Sequence, residues 1–148
     1  MKTFRTILLV LVCASLIFIT SGFAGKRSTD NRFVQAKLEL IEKNLVLALN
    51  SGMPTLQASA AIVLKQVKFY TPEYDFPNAI IPLMRIVKDE NNEVTTRIAA
   101  AVVLHDLRSG RGDYAIKTTA QFTDVERIKR ICTLLAYDRM KQSQTDTQ

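Results

Sequence analysis

The sequence predicts an all-α chain of about three consecutive helix pairs, and three observations carry that expectation. Apolar residues recur at steps of three and four along most of its length, no segment alternates strictly as a half-buried strand does, and short apolar strings reappear at offsets of 40 and 31 residues. The length of 148 residues suits one domain, and 47% hydrophobic with 23% charged residues exclude the disordered, collagen-like and disulfide-rich classes.

Residues 1–24 stand apart from this pattern. Lys2 and Arg5 make a basic start, Ile7 to Ile19 is apolar save for Cys13 and Ser15, and Gly22 and Ala24 are the small residues a signal peptidase reads. The segment is expected to be a secretory signal peptide cleaved after Ala24, because its apolar run is shorter than the roughly 18 to 20 residues that cross a bilayer as a helix. Cleavage would leave 18 basic residues against 14 acidic ones, a charge of +4, and Cys132 as the sole cysteine. No intramolecular disulfide is then available, so the core alone must hold the fold. The charges are not gathered into one run, so no nucleic-acid partner is expected, and no stable membrane insertion after cleavage. The Met-Lys start and short leader look bacterial, which points to a periplasmic or secreted location.

The elements follow in order. Residues 25–31 are polar and expected to fray. From Arg32 to Leu49, Val34, Leu38, Ile41, Leu45, Ala48 and Leu49 fall in one arc of a helix, with Gln35, Glu39, Glu42 and Lys43 opposite. Ser51-Gly52 stops it, and Pro54 opens a second helix to about Val67. Pro77 opens a third with Ile80, Ile81, Leu83, Met84, Ile86 and Val87; Asp89-Glu90-Asn91-Asn92 breaks it; and Val94 to Leu107 forms the fourth. After Arg108-Ser109-Gly110-Arg111-Gly112, Tyr114 to Phe122 is the fifth and Asp124 to Lys141 the sixth. Thr123 and Glu126 have the spacing of a capping box. The repeat domain is thus expected over residues 32–141, with 142–148 a disordered tail.

Ala60-Ala61-Ile62-Val63-Leu64 overlays Ala100-Ala101-Val102-Val103-Leu104, while Val94, Ala101, Val103 and Leu104 overlay Val125, Cys132, Leu134 and Leu135. Helix pairs at this spacing mark an α-solenoid. Asp89-Glu90-Asn91-Asn92, Val94, Arg97, Ala99, Ala100 and Leu104 together resemble the second helix of the HEAT-repeat family and its HEAT-like variant. The first pair has Gln57 in place of the arginine, and the third has Ile131 and Cys132 in the alanine positions. The resemblance covers about residues 33–141 and implies a right-handed α-solenoid of about three pairs, of a kind that commonly serves as a protein-binding platform.

Candidate chemistry is sparse. His105 is the only histidine and has no ligand partner at metal spacing, Cys132 lies on an apolar arc, and no nucleophile elbow, zinc motif or phosphate loop is present. No catalytic residue, metal or cofactor is therefore expected. Arg111-Gly112-Asp113 spells the tripeptide read by integrins, but in a repeat connection the glycine turns the chain and the aspartate caps the next helix. Two candidate surfaces remain. The connection from Lys68 to Asn78 holds Phe69, Tyr70, Tyr74 and Phe76, half of the aromatics that follow residue 24, either as a recognition loop or as a plug over a seam. Arg127, Arg130 and Lys141 share one arc of the last helix, a solvated cap or a face for an acidic partner or anionic lipid. The functional expectation is a non-enzymatic module that binds a protein partner; the alternative is a small-molecule or tetrapyrrole carrier drawing on His105, Cys132 and Tyr137.

Overall fold

The computed structural model describes residues 26–145, and their side chains from residue 31. The signal peptide expected over residues 1–24, its cleavage after Ala24 and the final three residues lie outside that range. Within it the protein is all-α, with six helices and no strand: α1 (Lys26–Leu49), α2 (Pro54–Tyr70), α3 (Ile80–Lys88), α4 (Val94–Asp106), α5 (Gly110–Phe122) and α6 (Glu126–Thr145). None of these helices is long and apolar enough to cross a membrane. The chain divides into two compact units at Leu38/Glu39, inside α1. In the first unit the described part is the helical stretch Lys26–Leu38. The second unit, Glu39–Gln148, holds the core and the candidate sites described below.

Helix boundaries differ from expectation where local chemistry extends or delays them. α1 begins at Lys26, before Arg32, because no glycine or proline interrupts that run. Pro77 does not open α3; the chain turns over Phe76–Ala79, with the Ala79 amide donating to the Phe76 carbonyl, and the helix starts at Ile80. α5 starts at Gly110 because Ser109, not Asp113, is its cap: the Ser109 hydroxyl accepts from the Gly112 amide at 3.0 Å. The Thr123–Glu126 box does not form either. Thr123 spends its own amide on Thr119 at the end of α5, and its hydroxyl accepts a long 3.4 Å bond from Val125.

The largest correction concerns α1. Glu42, expected on the solvent side, is buried, while Val34, Leu40, Ile41 and Leu47 are exposed. α1 has apolar residues on two sides, so periodicity alone could not say which arc turns inward. Glu42, Leu45 and Leu49 do.

The core of the second unit is built from small and branched residues in register. Ala60, Ala61 and Leu64 of α2 and Ala100, Ala101 and Leu104 of α4 are all buried, as the offset of 40 residues requires. Alanines on facing helices let the backbones approach, and the leucine one turn on fills the groove, each fully buried leucine contributing about 1.5–3 kcal/mol. Leu83, Ile86 and Val87 of α3, Ala115 and Ile116 of α5, and Ile128 and Cys132 of α6 complete it. α4 lies at the centre, in contact with α2, α3, α5 and α6, and α3 also meets α5.

Repetition extends to hydrogen bonding. The Arg97 Nε donates to the Val87 carbonyl at 3.0 Å, and the Gln57 Nε2 donates to the Leu49 carbonyl at 3.1 Å. In both pairs a buried side chain of the second helix reaches back to a carbonyl that the end of the first helix leaves without an intrahelical donor. Gln57 thus does the work of the missing arginine. Asn92 Nδ2 donates to Gln57 Oε1 at 2.7 Å and the Thr96 hydroxyl to the Pro54 carbonyl at 3.1 Å, which ties the starts of α2 and α4 together.

Candidate functional site

The aromatic connection separates into two halves with opposite environments. Its frame is Lys68, whose ammonium donates to the carbonyls of Pro72 (2.7 Å) and Tyr74 (2.9 Å) and lies 3.5 Å from the Asp75 carboxylate. Beyond that frame Phe76 is fully buried, with Tyr74 edge-on against it at 4.7 Å between ring centroids. The Tyr74 hydroxyl donates to Glu42 at 2.7 Å, and the Asn78 amide and side chain donate to the same carboxylate at 2.7 and 3.3 Å. Burial, reinforced by that carboxylate, pushes the Tyr74 phenol well above its ordinary range. Tyr74 and Phe76 are therefore a plug, and the recognition role expected of them is withdrawn.

Phe69 and Tyr70 face water. They belong to the last turn of α2, which runs past Val67, and are 77% and 79% exposed, with their rings edge to face at 5.3 Å. They continue an outer face of α2 on which Leu56, Ile62 and Val63 are also exposed. Its polar members are Thr55, Ser59 and Gln66, none of them charged. Sequence reasoning missed this face because Ile62 and Val63 belong to the very string that established the repeat.

At the C-terminal ends of α2 and α4 lies an open cleft of about 570 Å³ whose lining includes Lys65, Phe69, His105 and Arg108. Lys65 is 3.5 Å from Asp106. His105 Nε2 lies 3.2 Å from the Asp138 carboxylate, but off the line of the ring N–H, so it makes no hydrogen bond there. Arg108 adopts φ +51°, the left-handed region that favours glycine.

The remaining expected residues are dispersed. Arg127, Arg130 and Lys141 are exposed on α6. Cys132 is fully buried and its thiol pushed up to about 11 by burial, with the Arg97 cation drawing it partly back. Tyr137 is exposed, and neither it nor Cys132 lines the cleft that His105 lines, so the three do not converge. Arg111-Gly112-Asp113 forms the first turn of α5; the Asp113 carboxylate accepts from Arg139 Nε at 3.1 Å, and Gly112 packs so close to Leu104 that an added Cβ would sit 3.2 Å from its methyl group. Among the described residues no three His, Cys, Asp or Glu side chains gather as a metal site would need. Comparison with protein-family models, with curated proteins and with solved structures finds no match.

Proposed function

We propose that this chain is an exported HEAT-like α-solenoid that acts as a non-enzymatic protein-binding module or scaffold in the bacterial cell envelope. Support for the solenoid comes from the order of helix contacts, in which α2, α4 and α6 adjoin in sequence and α3 adjoins α5, and from the matched reach of Gln57 and Arg97 to the preceding helix. The observation that carries the binding role is the uncharged outer face of α2, where Leu56, Ile62, Val63, Phe69 and Tyr70 lie exposed on a rigid helix. Isolated exposed apolar residues are ordinary, but five on one helical face ending in two aromatics have the composition of an interface core.

The test is an affinity capture from cell envelopes with the chain lacking residues 1–24, beside a Val63→Ser/Phe69→Ser/Tyr70→Ser variant whose helicity is checked by circular dichroism. A specific protein retained by the first and lost by the second supports the module. Identical captures from both would overturn it, and a coloured ligand copurifying with both would turn the function toward a carrier.

A further inference from the structure

We infer that the cleft at the ends of α2 and α4 is a docking pocket for an acidic peptide segment of the partner, in which carboxylates meet Lys65 and Arg108 and an apolar side chain lies on Phe69. This rests on the protein-binding reading above and specifies the chemistry of what is bound. Three side chains with permanent positive charge, Lys65, Lys68 and Arg108, line the cleft with the Asp106 carboxylate, while Asp75 and Asp138 lie 3.5 and 3.2 Å from the lining residues Lys68 and His105. Lys68 is spent on the carbonyls of its own connection, and Lys65 is half exposed and held only loosely by Asp106 at 3.5 Å, so Lys65 and Arg108 are the cations open to a ligand.

Arg108 is the sharper signal. At φ +51° a glycine or asparagine would be unstrained, yet the position holds a long cationic side chain that is exposed and lines the cleft. Phe69 lies at the join: it lines the cleft and also ends the outer face of α2, so a segment lying along that face reaches the cations at its end. Arginine forks and ammonium groups beside an aromatic ring complement carboxylates interleaved with apolar residues. The size falls within the range of roughly 300–1,000 Å³ usual for ligand pockets, which suits a few residues of an extended chain or one turn of helix.

The probe is a fluorescein-labelled dodecapeptide of alternating glutamate and leucine, read by fluorescence anisotropy against its glutamine and lysine counterparts and against phosphatidylglycerol vesicles. Binding of the glutamate peptide alone, weakened about tenfold or more by Lys65→Glu/Arg108→Glu and by added salt, is the expected result. Arg108→Gly guards against misfolding, since it removes the charge while relieving the backbone, and must weaken the peptide without lowering Tm. Equal binding of the glutamine peptide, an unaffected charge-reversed variant, or binding of vesicles in place of peptide overturns the inference. Each of those leaves the module reading standing as long as the Val63→Ser/Phe69→Ser/Tyr70→Ser variant still loses its captured protein; loss of that difference defeats the reading itself.

Discussion

The connections that follow α2 and α4 each contain one non-glycine residue in the left-handed region, and they use it in opposite ways. After α2 it is Phe76, φ +49°, fully buried beneath Tyr74 and behind the Glu42 carboxylate. After α4 it is Arg108, φ +51°, exposed at the mouth of a cleft. A left-handed residue with a side chain costs about 1–2 kcal/mol. At Phe76 the burial of an aromatic ring offsets that cost inside the fold, so the strain belongs to stability. At Arg108 the side chain stays exposed, and the left-handed turn ends α4, with the Arg108 amide donating to the His105 carbonyl at 3.2 Å.

The contrast is broken most severely at its buried side. Phe76→Ala should destabilise by about 3–5 kcal/mol, visible as a lowered urea midpoint, because it removes the ring on which the whole connection closes. A loss under about 1 kcal/mol would mean the ring is not the plug described here. Glu42→Ala should cost about 1–2 kcal/mol by leaving the partly buried Tyr74 hydroxyl and Asn78 amide without their acceptor, and Glu42→Gln clearly less.

Tyr74→Phe removes one of those bonds and should cost about 1 kcal/mol. It also changes the alkaline limb. Since the phenol is held above its ordinary value of 10.0 in the fold, the unfolded chain releases that proton first. The stability it contributes is whole below about pH 10 and is lost as pH rises beyond it, so wild-type Tm should fall more steeply there than that of Tyr74→Phe. Parallel slopes would place the hydroxyl in water.

On the open side the sign reverses. Arg108→Gly should stabilise by about 1 kcal/mol or less, because relief of the left-handed side chain is partly cancelled by the freer unfolded glycine. The smallest effect belongs to Phe69→Ser and Tyr70→Ser, within about 0.5 kcal/mol of wild type, since both side chains already face water. A larger loss of stability would show that the outer turn of α2 is part of the fold.

The buried alanines and leucines of α2 and α4 were legible in the sequence because a repeated string fixes its own register, whatever surrounds it. Glu42 was not. A carboxylate reads as a solvent residue unless its donors are known, and Tyr74 and Asn78 stand 32 and 36 positions away in the chain. The two halves of the aromatic connection were indistinguishable by composition, and only Lys68, folding back on Pro72 and Tyr74, separates them. Asp113 drew the capping role from its place in a turn, but Ser109 starts the helix four residues earlier and frees the aspartate for Arg139.

The reach of Gln57 and Arg97 also orders events during synthesis. In each case the donor is made after the carbonyl it serves, eight residues later for Leu49 and ten for Val87. A first helix leaving the ribosome therefore keeps one end carbonyl open to water until its successor has emerged and coiled against it, at roughly 5–20 residues per second a delay of about a second. The nascent chain should gain protection from protease in steps of one helix pair, with the Val87 carbonyl at the end of α3 covered only once Arg97 is clear of the exit tunnel.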